Sequence, residues 1–242
     1  METAIESEIG HTHQDVSGGW LRAATFGAMD GLVTNISLVA GMGGAGASPR
    51  IILLSGTAGL VAGAFSMAMG EYVSVQTQNE QVAQEWETEA MEVRTNPAGE
   101  EAELAQMFET MGMREGTAQL AAADVHRDPD RATLLHVTSE LGVDPTETPS
   151  PLVAAGSSFA MFTIGALIPL LPYLLGSTSL ALALVAGAAG LLIAGAVGAS
   201  FTTRSWLRGA FRAFRQLLFG GLAAAATYGV GHLIGGSAFF AA

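Results

Sequence analysis

Five apolar segments dominate the sequence, and each is close to the roughly 20 residues that a helix needs to cross a bilayer. Because backbone groups in lipid must be hydrogen-bonded within the segment, stretches of this kind form helices. The sequence therefore predicts an all-α integral membrane protein with five transmembrane helices. We place them at Trp20–Gly44, Ile51–Val75, Leu152–Leu175, Ser179–Phe201 and Leu217–Phe240.

Composition agrees with a membrane protein and excludes several other classes. Charged residues make up 13% of the chain, well below the roughly 25% of an ordinary soluble domain. There is no Cys, which excludes disulfides, thiolate metal sites and Cys nucleophiles. Acidic residues outnumber basic ones by 22 to 10, so the basic surface typical of nucleic-acid binding is absent.

The distribution of Arg predicts the orientation in the membrane. Arg204, Arg208, Arg212 and Arg215 lie between the fourth and fifth predicted spans, and positively charged loops stay in the cytoplasm. Counting back, the amino-terminal tail and the polar insertion between spans two and three are cytoplasmic, and the carboxy terminus is on the opposite side. Because every basic residue is Arg and the chain is rich in Ala and Gly, we expect a GC-rich bacterium and its inner membrane.

The polar insertion is predicted to hold three short helices, near Ala98–Met111, Arg114–His126 and Pro129–Leu141, each of which follows a helix-start or break signal. No Pro or Gly follows Gly70 before the insertion, so the second membrane helix is expected to continue into water. The predicted organisation is a tail (1–19), membrane helices 1 and 2 with the extension of helix 2 (20–93), a cytoplasmic domain (94–148) and membrane helices 3 to 5 (149–242).

Three residues in the first two spans are candidates for a metal pathway. Asp30 lies in the first span, where an ionised carboxylate costs roughly 2.5–3.5 kcal/mol and usually has a partner or a task. Met67 and Glu71 are four residues apart on the second span and share a helix face. Two carboxylates and a thioether offer hard and soft donors to a first-row divalent ion. The alternatives are an interfacial Asp30 and a Met67 that only packs.

Acidic residues continue along the extension and through the insertion. Neighbouring like charges on a helix cost a few tenths of a kcal/mol per pair, and a bound cation removes that repulsion. Oxygen ligands with one imidazole suit Fe2+ or Mn2+. The candidates are the row Glu85, Glu89 and Glu92, the pair Glu100 and Glu103, and the pair His136 and Glu140, whereas Glu101, Glu109, Glu115 and the tail residues His11 and His13 are interpreted as solvated surface.

The stretches "MDGLVTNISLVAG" and "LVAGAFSMAMGEYVSV", followed by an acidic insertion, resemble the vacuolar iron transporter family. The resemblance covers about Trp20 to Phe240. It implies five membrane helices per subunit, a homodimer with the pathway between subunits, and a cytoplasmic helical metal-binding domain. It also implies proton-coupled export of Fe2+ from the cytosol, with Mn2+ often accepted and Zn2+ and Co2+ as further candidates, and no prosthetic group.

The resemblance also assigns individual residues. Asp30 resembles the family's intramembrane acid, and Met67 resembles its pathway methionine. His136 and Val137 stand where plant members have a Met pair, so an imidazole replaces one thioether here. Glutamates at the family's metal-binding positions are Glu89, Glu92, Glu100, Glu103 and Glu140.

Two other functions are compatible with parts of the pattern. A membrane-anchored metal sensor or buffer would have the same acidic insertion and no transport. A di-iron ferroxidase is the enzymatic alternative, but such centres use two Glu-x-x-His motifs, and the predicted helices contain none. We therefore expect a transporter rather than an enzyme.

Overall fold

The computed structural model describes residues 19–200 and 206–236, and every regular element in these ranges is helical. The prediction of an all-helical chain with five candidate membrane spans is confirmed. Some predicted features lie outside the described residues. These are the tail with His11 and His13, the residue Arg204, and the predicted ends of spans four and five. The helices are α1 (Trp20–Gly44), α2 (Pro49–Thr95), α3 (Pro97–Thr110), α4 (Glu115–Val125), α5 (Pro129–Leu141), α6 (Pro151–Leu167), α7 (Leu171–Leu174), α8 (Leu180–Ser200) and α9 (Trp206–Gly235).

The described residues form two compact units. The membrane unit comprises Gly19–Ser74 and the residues from Pro151 onward, and the insertion unit comprises Val75–Ser150. The candidate spans are α1, α2, α6 with α7, α8 and α9. Helix α2 is 47 residues long, so one uninterrupted helix supplies residues to both units, as the lack of Pro and Gly after Gly70 predicted.

Helix α1 lies at the centre of the membrane unit, where it packs against α6, α8 and α9. Its glycines allow the backbones to touch: a Cβ on Gly27 would lie 2.7 Å from the carbonyl oxygen of Ser158, and one on Gly31 would overlap that of Phe162. Small residues of this kind are typical of helix interfaces in lipid. The fully buried Asn35 adds a polar link, because its side-chain amide donates to the Ala166 carbonyl at 2.6 Å.

The close approach of α1 to α6 makes Gly31→Ala a strong test of the packing. The added methyl group meets the Phe162 backbone, which cannot turn aside like a flexible side chain. Overpacking of this kind costs roughly 1–3 kcal/mol, and we expect a lower unfolding temperature in detergent. The matched control is Gly70→Ala, since nothing lies within 4 Å of a Cβ at Gly70. Equal thermal stability of the two variants would contradict this packing.

Two membrane helices differ from the boundaries predicted above. Helix α9 begins at Trp206, not at Leu217, so Arg208, Arg212 and Arg215 lie on the helix rather than in a loop. The predicted span began only at Leu217 because the Arg residues before it are not apolar. They are nevertheless part of the helix, because Arg is a good helix former. The third span contains a 3₁₀ turn at Ile168–Leu170 before α7, since Pro169 cannot donate the next helical hydrogen bond.

The three short helices of the insertion begin and end within one residue of the predicted positions. Pro97 occupies the first turn of α3, where a missing N–H costs nothing. Helix α5 begins after Asp128, whose carboxylate accepts from the backbone N–H of Asp130 at 3.1 Å, and it is followed by Gly142, the C-cap, with φ of 66°. These signals place Glu100 in the first turn of α3 and His136 in the middle of α5.

Candidate metal centre

His136 lies at the centre of a buried cluster of carboxylates. Its side chain is 0% exposed, and Nδ1 lies 3.9 Å from one oxygen each of Glu89, Glu100 and Glu140. Helices α2, α3 and α5 therefore converge on one imidazole. A separation of 3.9 Å is too long for a hydrogen bond, and neither ring nitrogen has a hydrogen-bond partner among the described residues.

The carboxylates of this cluster are also short of partners. Glu89 and Glu100 are 4% and 6% exposed, and the Oε2 atom of each is buried without a hydrogen-bond partner in the described part of the chain. Buried polar atoms are nearly always bonded, so the cluster has the donor set of a cation site. One ligand atom from each of Glu89, Glu100 and His136 lies within 4.8 Å of the others. Two ligands of one ion, each bonded at about 2.1 Å, are roughly 3–4 Å apart.

Burial and crowding shift the protonation of the cluster. The pKa of Glu89 is raised from 4.5 to about 7, first by burial and then by the negative charges of Glu140, Glu100 and Glu92. The pKa of Glu100 is raised by burial, against the opposing effect of His136. Without a cation, the cluster holds a proton near neutral pH. A divalent ion that binds there displaces it.

The raised pKa of Glu89 predicts that the cation-free insertion unit is more stable in mild acid. Protonation is favoured in the folded state, so this contribution is complete below the unfolded pKa of 4.5 and is lost as the pH rises through about 7. At 1.36 kcal/mol per pKa unit, the free energy of unfolding falls by about 3 kcal/mol between pH 4 and pH 8.5. Urea unfolding in chelator can be followed by Trp86 fluorescence with Trp20 and Trp206 changed to Phe.

Glu89→Gln is the control for this pH dependence, because an amide cannot titrate. We expect its unfolding free energy to change far less over the same range. A wild-type unfolding free energy that stays constant or rises from pH 5 to pH 8 in chelator would contradict the prediction. Saturating Mn2+ should reverse the wild-type trend, since the ion binds the deprotonated carboxylates.

The other predicted residues of the insertion lie at different depths. Glu92 and Glu103 are exposed; the charge of Glu92 acts on Glu89 and Glu100, and that of Glu103 acts on Glu100. The Glu140 side chain is 30% exposed, so it stands at the edge of the cluster. Glu85 is half-buried one turn before Glu89 on α2, outside the three-residue group. Metal binding by each of these residues stays a prediction.

The three candidates in the membrane unit have different surroundings. Asp30 is half-buried on α1, and the Thr34 hydroxyl donates to its Oδ1 at 3.4 Å. Met67 is partly buried against Ala64 and Phe162. Asp30 and Glu71 do not belong to any group of three or more His, Asp or Glu ligands in the described ranges. Their place on a metal pathway therefore stays a prediction.

Sequence reasoning missed the partner of Glu71. This carboxylate is 8% exposed and accepts from Arg22 at 3.1 Å, although 49 residues separate them. Arg22 lies at the start of the first predicted span, on the side that the Arg distribution predicts to be cytoplasmic, and no spacing rule links residues on different helices. The Arg22 side chain is 65% exposed, so the buried carboxylate is neutralised by a cation that remains accessible.

His126 was also missed as a neighbour of His136. The two ring centroids are 5.5 Å apart and the rings meet edge to face at 85°. The second imidazole in the same insertion was the only sequence signal. Its end position on a short helix gave no reason to connect it with α5.

The chain is similar to known proteins over most of its length. A profile of the VIT family matches residues 21–232, a range that includes the insertion and reaches from α1 into α9. "Vacuolar iron transporter" of Acanthamoeba castellanii is 38% identical over 241 residues, which cover 93% of this chain and 83% of that protein. "Vacuolar iron transporter 2" of Oryza sativa subsp. japonica is 30% identical over 224 residues, with coverage of 91% and 90%. "VIT-like transporter 1b" of Glycine max is 34% identical over 222 residues, with coverage of 90% and 78%.

Proposed function

The chain belongs to the VIT family, and from this premise we propose that it is a proton-coupled antiporter that exports Fe2+ from the cytosol and also accepts Mn2+. Its relatives are named transporters, and five helices are apolar and long enough to span a membrane. It is accordingly a multi-pass membrane protein of a metal-transporting family and not an enzyme. The ion, its direction and the coupling to protons are the proposal.

The observation that carries the proposal is the buried cluster of Glu89, Glu100 and His136. Carboxylate oxygens with one imidazole are suitable ligands for Fe2+ and Mn2+, and because Co2+ and Zn2+ bind such donors more tightly in the usual order of affinities, the choice of ion depends on which metal is available in the cell. The insertion concentrates the ion from the cytosol, and the negative charge around the cluster raises the local cation concentration. The ion is the cargo of the protein and not a resident cofactor.

Transport requires a second set of ligands inside the membrane. Glu71, Met67 and Asp30 supply it, in that order from the cytoplasmic side. At Glu71 the arriving ion competes with Arg22 for the carboxylate, and at Asp30 it competes with a proton. One carboxylate that holds either a proton or a metal ion couples their opposite movements.

The location and assembly belong to the same proposal. Arg208, Arg212 and Arg215 at the start of α9 favour a cytoplasmic start for this helix, with the tail and the insertion on the same side and the carboxy terminus opposite. We assign the protein to a bacterial inner membrane. We also assign the protein to a homodimer, as the resemblance to the family implies.

Metal flux in sealed proteoliposomes tests the proposal. Protein is reconstituted, a fluorescent chelator inside the vesicles reports Fe2+ or Mn2+, and a pH dye reports protons. We expect uptake that is accelerated by a lumen more acidic than the outside, together with proton release from the lumen. Cation binding without flux at any pH difference would favour a membrane-anchored sensor or buffer, and flux that is independent of the pH gradient would exclude antiport.

A further inference from the structure

We propose that His126 is a positioning residue for the cytoplasmic cation site: it accepts a hydrogen bond from Nε2–H of His136 and so fixes the tautomer in which Nδ1 of His136 binds the ion. This inference rests on the proposed cation binding by the insertion unit.

His136 is oriented toward the carboxylates of the cluster through one ring nitrogen. Its Nδ1 faces the oxygens of Glu89, Glu100 and Glu140, each at 3.9 Å. A neutral imidazole that gives the lone pair of Nδ1 to a cation carries its proton on Nε2. That Nε2 is buried and has no hydrogen-bond partner among the described residues. Cation binding through Nδ1 therefore leaves a buried donor that needs an acceptor.

His126 offers that acceptor. Its Nδ1 lies 3.0 Å from the carbonyl oxygen of Ala122, and a carbonyl only accepts, so Nδ1 carries the proton. The lone pair of His126 is consequently on Nε2. This nitrogen is also buried without a hydrogen-bond partner within the described ranges.

The rings of His126 and His136 are in contact. They meet edge to face with centroids 5.5 Å apart, so a buried donor and a buried acceptor stand on adjacent imidazoles. Edge-to-face packing alone explains the ring angle, but it does not explain why both Nε2 atoms are buried without partners. In the proposed cation-bound state, one ring rotates so that Nε2–H of His136 donates to Nε2 of His126. The chain of contacts then runs from the Ala122 carbonyl through His126 and His136 to the ion.

Outer partners that orient a ligating His affect metal affinity by about 10–100-fold. We expect His126→Phe, which keeps a flat ring and removes the acceptor, to weaken Mn2+ binding by this factor in calorimetric titrations of the full-length protein in detergent. His126→Gln, whose amide oxygen accepts a hydrogen bond, should bind within a few-fold of wild type. A His126→Phe variant that binds within twofold of wild type, or a His126→Gln variant as weak as it, would overturn the proposal.

The tautomer itself is a readout that simple packing would not move. In 15N-His NMR of the Zn2+-loaded wild type, we expect Nδ1 of His136 to be bound to the metal and Nε2 to be protonated; His136→Gln identifies the signals. The opposite pattern overturns the inference, and this measurement decides it if His126→Phe does not fold. If the wild type transports iron but His126→Phe binds Mn2+ normally, the inference fails alone. If the wild type binds no cation, the proposed function fails with it.

Discussion

Asp30→Asn is expected to reduce proton-driven Fe2+ uptake by inside-out vesicles at least a hundredfold, while cation binding by the insertion unit stays unchanged. The amide has the size of the carboxylate and can still accept from the Thr34 hydroxyl, which lies 3.4 Å from Oδ1. It can neither hold a charge next to a divalent ion nor exchange a proton. A hundredfold loss corresponds to about 2.7 kcal/mol, which is modest for the removal of a charged ligand from a site in lipid.

The uptake assay needs two controls. Thr34→Val removes the hydroxyl and keeps the carboxylate, and we expect its uptake rate to remain within a few-fold of wild type. Calorimetric Mn2+ titration of Asp30→Asn shows whether the insertion still binds. Uptake at the wild-type rate by Asp30→Asn would remove this residue from the pathway. Loss of both uptake and Mn2+ binding would indicate a folding defect rather than a defect in transport.

The helices could be predicted because their signals are local. Pro97 and Pro129 open α3 and α5, and the absence of Pro and Gly after Gly70 keeps α2 continuous to Thr95. The start of α9 could not be predicted in the same way, because the span was placed by hydropathy. Hydropathy reports how readily a segment enters lipid, whereas a helix can extend into residues that do not enter lipid. Arg208 and Arg212 interrupt the apolar segment, but the helix continues through them.

The candidate site was predictable only in part, for a comparable reason. Glu85 and Glu89 are one turn apart on α2, so their spacing groups them. In the structure Glu89 is buried and Glu85 is only half-buried. The charges of Glu100 on α3 and Glu140 on α5 raise the pKa of Glu89. Spacing selected Glu100 and Glu140 as members of separate pairs, and the resemblance to a known family placed both among its metal-binding glutamates, but neither predicted that their charges would act on Glu89. The Arg22–Glu71 ion pair joins α1 to α2, and the His126–His136 contact joins the residue after α4 to α5. Neither a helical period nor a motif predicts which side chains meet across such a distance in sequence.

The double variant Glu89→Gln/Glu100→Gln is expected to change cation binding and stability in opposite directions. Removing two of the three buried ligands should weaken Mn2+ binding at least a hundredfold, or by about 2.7 kcal/mol. The same change removes the like-charge repulsion and the desolvation that raise the pKa of both carboxyls. In chelator at pH 8, we therefore expect its free energy of unfolding to exceed that of wild type by about 2 to 3 kcal/mol.

Glu109→Gln is the matched control, because Glu109 is exposed near the end of α3 and should alter neither Mn2+ affinity nor stability by more than about 0.5 kcal/mol. A cluster that existed only to hold α2, α3 and α5 together would lose stability when its carboxylates become amides. A cluster that exists to bind a cation is under electrostatic strain without one, so the amides relieve that strain and abolish binding. If the double variant is less stable than wild type in chelator and still binds Mn2+, the glutamates are structural. A gain in stability with a loss of binding is the outcome that only a cation site produces.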